Sequence, residues 1–178
     1  MKNLIQERYV KVFVFILILA FYASFLVVKI SLPGMDNDEG LYITDGKIIW
    51  QTQHVFRPNI YSYTEPNFPV YDHHWLSSVV FYLVTEKAGF NGLTIFKTII
   101  LLSAFTLLFY TATKKADFWL VALFSLPTIL ILAQRNRIRP EMFSYLFIGL
   151  FLYLLFDLEQ HPERKRIFWL IPLQLLWV

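Results

Sequence analysis

Three groups of side chains in this sequence could carry out chemistry, and the first is acidic. The run Asp36-Asn37-Asp38-Glu39 places three carboxylates within four residues, directly after a long apolar stretch. A carboxylate can act as a general base, and a pair of carboxylates can hold a divalent cation against a phosphate. The alternative is an ordinary solvated turn beside a helix end, which is how most acidic clusters behave.

The second group is Asp72-His73-His74, just before the next apolar stretch. An imidazole can bind a metal, donate to a phosphate or shuttle a proton near neutral pH. Because adjacent side chains on a helix or strand point in different directions, His73 and His74 are not expected to share one ion. The alternative is a pair of interfacial polar residues beside an aromatic belt that includes Trp75.

The third group consists of Arg135, Arg137 and Arg139, followed by Pro140 and Glu141. A planar guanidinium suits the recognition of a lipid phosphate, and a proline fits the head of the following helix. The alternative is a hydrated turn between two membrane helices, placed there by the positive-inside rule.

The composition is that of an integral membrane protein. Of 178 residues, 57% are hydrophobic and only 16% are charged, less charge than a soluble domain of this length carries. The basic residues stand in short clusters at the ends of apolar stretches, a pattern typical of orientation in a bilayer and not of a nucleic-acid surface. The chain has no cysteine, which excludes thiolate chemistry and cysteine-ligated zinc.

The sequence predicts an all-α, polytopic transmembrane helical bundle whose extracytoplasmic first loop bears interfacial helices. An uncleaved anchor helix is expected at about 10–32, a catalytic-type loop at about 33–74, and further membrane helices at about 75–178. The loop carries six acidic residues against two basic ones, so the N-terminus is expected in the cytoplasm and the loop outside.

Periodicity predicts the elements that position the three groups. Leu41, Ile48 and Val55 recur at heptad spacing, which favours a short amphipathic helix in the membrane interface. Four apolar stretches follow the loop, at 75–84, 93–112, 118–133 and 142–156. A last stretch from Ile167 stops after about a dozen residues, short of the roughly 20 needed to span. We therefore expect the chain to be the N-terminal portion of a longer protein.

Two topologies follow, depending on whether stretch 75–84 spans the membrane. If it does, arginines 135–139 are cytoplasmic and the basic residues 164–166 lie outside. If it lies in the interface, arginines 135–139 face outward beside the acidic loop. About ten residues cannot cross ~30 Å of hydrocarbon as a helix, which favours the second topology.

The order of the motifs resembles the GT-C glycosyltransferase superfamily, which includes protein mannosyltransferases and aminoarabinose transferases. The resemblance covers essentially the whole chain, as the first part of the membrane module of that superfamily. The matching segments are Asp36-Asn37-Asp38-Glu39-Gly40, Thr44-Asp45-Gly46, Tyr61-Ser62-Tyr63-Thr64, His73-His74-Trp75-Leu76-Ser77 and Arg139-Pro140-Glu141.

The resemblance implies an enzyme of the cell envelope that moves a sugar from a polyprenyl-phosphate carrier to an acceptor at the outer face, with inversion. Asp38 would take the proton of the acceptor, within a catalytic cluster that includes Asp36 and Glu39. A divalent cation, Mg²⁺ or Mn²⁺, would be held by Asp36 and Asp38 in members that use one. The residues expected to contact the substrate or its phosphate are His73, His74, Arg139 and Glu141.

The sequence departs from the pattern of the superfamily at two residues, and a second function is an alternative to sugar transfer. His74 occupies a position where related proteins often carry glutamate, and Glu141 matches the usual acidic residue only loosely. The alternative is a non-catalytic integral membrane protein that binds a lipid carrier or a partner subunit. Transport is disfavoured because Lys97 is the only clear charge within an apolar stretch.

Overall fold

In the computed structural model, the described residues are 2–27, 37–55, 61–62, 64–65, 69, 72–162 and 165–177. Within these ranges the secondary structure is helical and contains no β-strand, which confirms the predicted all-α class. Three helices are long and apolar enough to cross a membrane: Ile5–Val27, Trp75–Thr113 and Glu141–Gln160. Helices of this kind are typical of integral membrane proteins.

Within the part of the chain that the structure describes, six α-helices follow one another. They are α1 (Lys2–Val27), α2 (Asn37–Thr52), α3 (Trp75–Thr113), α4 (Phe118–Ala133), α5 (Glu141–Gln160) and α6 (Leu170–Trp177), with a 3₁₀ turn at Lys165–Trp169 before α6. A helix is present where one was predicted from Leu41, as α2, although Val55 lies beyond its end. Helix α4 has the bounds expected for the third apolar stretch, and the predicted anchor residues 28–32 lie outside the described residues.

Helix α3 joins two stretches that the sequence separates. The charged pair Glu86-Lys87 does not end the helix, which is interrupted instead at Gly89, with φ 66° and ψ −173°. A positive φ costs a glycine little, whereas a Cβ would be strained there. The stretches 75–84 and 93–112 therefore lie on either side of a kink at Gly89, which agrees with the two separate stretches predicted from the sequence.

The chain divides into two compact units. The first contains Met1–Ile30, Lys97–Arg137 and Glu141–Trp177, and the second contains Ser31–Phe96 and Ile138–Pro140. Helix α3 contributes its later part to the first unit and its earlier part to the second.

In the first unit, α1 and α4 pack together and run in the same direction. Near the start of both, the Lys11 ammonium lies 5.9 Å from the centroid of the Phe118 ring. Near the end of both, the Asn136 side-chain amide donates to the Phe25 carbonyl oxygen at 2.6 Å.

The other two long helices of this unit run the opposite way. Lys97 donates to the Asn136 side-chain oxygen at 2.6 Å, whereas Phe109, further along α3, packs against Phe15 with ring centroids 4.7 Å apart. Lys115, before α4, pairs with Glu159, late in α5, at 2.6 Å. We call the end with Lys11, Lys115 and Glu159 the N-terminal end, and the end with Phe25, Lys97 and Asn136 the far end.

This arrangement bears on the two topologies that the sequence leaves open. Phe25 and Lys97 both contact Asn136, so the chain leaves the first unit after α1 and re-enters it in α3 at the same end. If the first unit spans the membrane, we expect an even number of crossings between Phe25 and Lys97. The topology in which 75–84 lies in the interface meets this condition and stays a prediction.

In the second unit, α2 packs closely against the first turns of α3. A Cβ placed on Gly46 would lie 2.0 Å from the Ser78 carbonyl oxygen and 2.9 Å from the Tyr82 Cβ. Ile49 and Phe81 are buried, at 6% and 1% exposure. Leu41 and Trp50 remain exposed, and the placement of α2 in a membrane interface stays a prediction.

Candidate functional site

The structure brings together two of the predicted site residues, Asp38 and Arg139, from motifs 101 residues apart. Arg139 Nη2 donates to Asp38 Oδ2 at 2.6 Å, and both residues belong to the second unit. The Asp38 side chain is 45% exposed and that of Arg139 is 30% exposed. The pair therefore lies at a surface, where a substrate could reach it.

Local sequence explains both positions. Helix α2 begins at Asn37, so Asp38 and Glu39 stand in its first turn, where the helix dipole favours carboxylates. Arg139 lies in the turn before α5, with Pro140 next to it. Asp36, predicted as a catalytic and metal-binding residue, lies outside the described residues.

The predicted histidines flank the start of α3 and are both exposed. The His74 backbone N–H donates to Asp72 Oδ1 at 2.7 Å, and the His74 carbonyl accepts from the Ser78 N–H at 2.9 Å. The His74 ring meets Tyr42 of α2 edge-on, with centroids 6.2 Å apart. These hydrogen bonds stabilise the start of α3, and the contact between His74 and Tyr42 joins it to α2.

Glu141, the remaining predicted residue, is exposed and is the first residue of α5. It belongs to the first unit, whereas Arg139 belongs to the second. Among the described residues, no group of three or more acidic, histidine or cysteine side chains could hold a metal. The divalent cation stays a prediction, since Asp36 is not among those residues.

A second polar cluster, formed by Asp45, Tyr61 and Asp72, was not predicted as a site. The Tyr61 hydroxyl donates to Asp45 Oδ1, and Asp45 is only 7% exposed. Burial raises the pKa of Asp45, the hydrogen bond from Tyr61 lowers it, and the charge of Asp72 raises it, leaving a net rise. Burial and the contact with Asp45 also raise the pKa of Tyr61, so its phenol keeps the proton that it donates.

One sequence signal could have pointed to Asp45. It lies about two helical turns, about 10 Å, after Asp38, and therefore on a similar face of α2. It also precedes Gly46, a residue at which α2 lies against α3. The second unit thus presents an exposed carboxylate held by a guanidinium and a buried carboxylate held by a phenol.

Comparison of this chain with models of protein families, with curated proteins and with solved structures finds no match.

Proposed function

We propose that this chain is a membrane glycosyltransferase that uses a polyprenyl-phosphate-linked sugar as its donor. The observation that supports the proposal most is the contact between Asp38 and Arg139. These residues come from the acidic cluster and the Arg-Pro-acid turn, two separate motifs of the GT-C resemblance. A general base for the acceptor, Asp38, would then lie next to a positively charged side chain for the leaving phosphate, Arg139.

The reaction is a single displacement. Asp38 accepts the proton of the acceptor hydroxyl while that oxygen attacks the anomeric carbon. The bond from this carbon to the phosphate oxygen breaks, and the lipid phosphate leaves with the electron pair, so the configuration is inverted. Arg139 orients Asp38, and its positive charge stabilises the developing phosphate.

The remaining predicted residues have supporting roles in this proposal. Glu39 shares the first turn of α2 with Asp38, and Asp36 would complete a cation site with it. His73, His74 and Glu141 would contact the donor or its phosphate.

The proposed orientation places the N-terminal end of the first unit in the cytoplasm and the far end at the outer face. The support is the positive-inside rule. Lys2, Arg8, Lys11, Lys114 and Lys115 lie in or beside segments at the N-terminal end, against Arg135 and Arg137 at the far end. The polar loop starts from the far end, so the reaction would take place outside.

The test compares Asp38→Asn with the unaltered chain in lipid nanodiscs loaded with a panel of polyprenyl-phosphate-linked sugars. Release of polyprenyl phosphate is followed by mass spectrometry. Loss of a general base costs about 10²–10⁴-fold in rate, so Asp38→Asn should lose turnover by that factor while still binding the donor. The matched control is Asp117→Asn, because Asp117 caps α4 through the Trp119 N–H and asparagine caps equally well.

Two outcomes would contradict the proposal. Equal release by the unaltered chain and Asp38→Asn would remove the base from this site. Donor binding without release for any sugar in the panel would instead favour the non-catalytic lipid-binding protein.

A further inference from the structure

We propose that Lys114, with Tyr110 and Tyr153, forms a binding site for the headgroup of an anionic phospholipid in the leaflet at the N-terminal end. The proposal is independent of sugar transfer. It concerns the first unit alone and rests on three observations: the surroundings of one ammonium group, the pairing of the neighbouring charges, and the aromatic residues at the same level.

The Lys114 ammonium rests against two rings from different helices. It lies 4.8 Å from the centroid of Tyr110 in α3 and 5.0 Å from that of Tyr153 in α5. The two rings pack against each other, with centroids 6.1 Å apart. Cation–π contacts of this length hold the ammonium in place without neutralising its charge. The side chain is therefore ordered in advance for an anion.

The neighbouring carboxylates are committed to other cations. Three ion pairs account for them: Glu7 with Lys11 at 2.7 Å, Glu159 with Lys115 at 2.6 Å, and Asp157 with Arg166 at 2.8 Å. The fourth acid nearby, Asp117, caps α4. Among the described residues, Lys114 has no carboxylate partner, so its positive charge remains unmatched at this end of the unit.

Aromatic side chains place this end at the depth of lipid headgroups. Tyr9 of α1, Tyr110 of α3 and Trp119 of α4 are 72%, 51% and 48% exposed, and all three lie near the N-terminal end. Exposed tyrosine and tryptophan at one level on several membrane helices are typical of the membrane–water interface. A cation at this level meets lipid phosphates, and the tyrosine hydroxyls are additional donors for phosphate oxygens.

The ligand is an anionic lipid rather than a zwitterionic one because, among the described residues, no acid pairs with the Lys114 ammonium. The choline group of phosphatidylcholine would bring a second positive charge toward Lys114. Phosphatidylglycerol carries only the phosphate charge, and its glycerol hydroxyls are compatible with the two phenols.

The experiment titrates the purified full chain in detergent with phosphatidylglycerol and, separately, with phosphatidylcholine of the same acyl chains, and counts bound lipids by native mass spectrometry. Lys114→Gln should weaken phosphatidylglycerol binding by about fivefold and leave phosphatidylcholine binding unchanged. Lys114→Arg should retain binding.

The matched control is Lys115→Gln, which removes the same charge one residue further on. It should have a smaller effect, because Glu159 already balances Lys115. Equal losses for the two glutamine variants would overturn the proposal in favour of unspecific charge, and no loss for Lys114→Gln would overturn it outright. Competition by millimolar inorganic phosphate as effective as that by the lipid would overturn the assignment to a lipid. If Lys114→Gln fails to fold, Tyr153→Leu provides the same test with the charge retained.

Discussion

At the scale of single residues, the two glycines of α2 are in opposite environments. Gly40 has nothing within 4 Å of the position of a Cβ, whereas at Gly46 a Cβ would lie 2.0 Å from the Ser78 carbonyl oxygen. The clash is with backbone, which cannot move aside as a flexible side chain can. Gly46 is therefore required for α2 to pack against α3.

We expect Gly46→Ala to destabilise the protein by at least about 2 kcal/mol, because the extra methyl group forces the two helices apart. Gly40→Ala is the control in the same helix, and should be neutral or stabilising by up to about 1 kcal/mol, since alanine is the better helix former. Thermal unfolding in detergent, followed by tryptophan fluorescence, measures both. Similar melting temperatures for the two variants would contradict the close packing at Gly46.

Asp45 makes the stability of the second unit dependent on pH. Burial raises its pKa in the folded state above the ordinary value of 3.8, the bond from Tyr61 opposes the rise, and Asp72 adds to it. The folded state then binds the proton more tightly than the unfolded state. The contribution of protonated Asp45 to the stability of the folded state is fully present below pH 3.8. It is lost as the pH rises through the pKa of Asp45 in the folded state.

We expect Asp45→Asn to abolish the fall in folding stability with rising pH, because a neutral amide can still accept the Tyr61 hydrogen bond without burying a charge. Unfolding measured from pH 3.5 to pH 8 should show a weaker decline with rising pH in the variant, over a range set by the raised pKa. Tyr61→Phe should extend the decline to higher pH, since it removes the bond that lowers the pKa. Identical pH profiles for all three proteins would contradict the assignment.

Two carboxylate contacts of the second unit have been described, Asp38 with Arg139 and Asp45 with Tyr61, and the sequence points to the first. Asp38 and Arg139 are recognisable because each lies in a motif at the boundary of an apolar stretch. Asp45 and Tyr61 also lie in segments that match the GT-C pattern, but their contact is not predictable, because the burial of an aspartate in an amphipathic helix depends on which face packs. That choice is made by the approach of Gly46 to Ser78, a contact between segments that are distant in the sequence.

At the scale of elements, the far end of the first unit is joined by one hydrogen-bonded network. Lys97, only 5% exposed, donates to both oxygens of Asn136, at 2.6 Å and 3.3 Å, and Asn136 in turn donates to the Phe25 carbonyl. Three segments therefore meet through a single asparagine. An ionisable residue inside an apolar helix is costly, which fits a role in holding these segments together.

We expect Lys97→Met and Asn136→Ala each to lower stability, with a coupling on the order of 1 kcal/mol between them in a double-mutant cycle. Lys87→Met, at an exposed position of the same helix, should have no such effect. Additive effects of the two substitutions would show that Lys97 and Asn136 do not act as one network.

The elements themselves are largely predictable. Helix α4 is bounded by charged and polar turns, and its bounds were predicted to the residue. The break within α3 was also predicted, because Glu86-Lys87-Ala88-Gly89 divides its two apolar stretches, and the backbone is non-helical at Gly89. The pattern of polar residues does not show that the break is confined to one positive-φ glycine, with no loop between the two helical segments.

At the scale of the whole molecule, the directions of the helices in the first unit bear on the membrane topology in a way that composition does not. Counting basic residues left two topologies open, whereas the contacts of Phe25 and Lys97 with Asn136 favour one of them. Positions 116 and 135 then lie at opposite ends of the first unit.

We expect an impermeant thiol reagent, applied to intact cells, to label Arg135→Cys but not Ala116→Cys. Both positions are exposed, and the chain has no cysteine of its own, so there is no background labelling. Permeabilised cells provide the control, in which both variants should be labelled. Labelling at 116 alone in intact cells would reverse the proposed orientation, and labelling at both would contradict a first unit that spans the membrane.

The meeting of Phe25 and Lys97 at Asn136 has a consequence for the modularity of this chain. The chain between Phe25 and Lys97 is arranged like an insertion between two helices of a scaffold, because the residues that flank it meet at Asn136. Since its two ends join the scaffold at one place, the insertion can change in length and content without altering the order or direction of the scaffold helices. New specificities could therefore arise by exchanging this segment alone, and a short linker grafted between α1 and Lys97 would be the minimal chimaera.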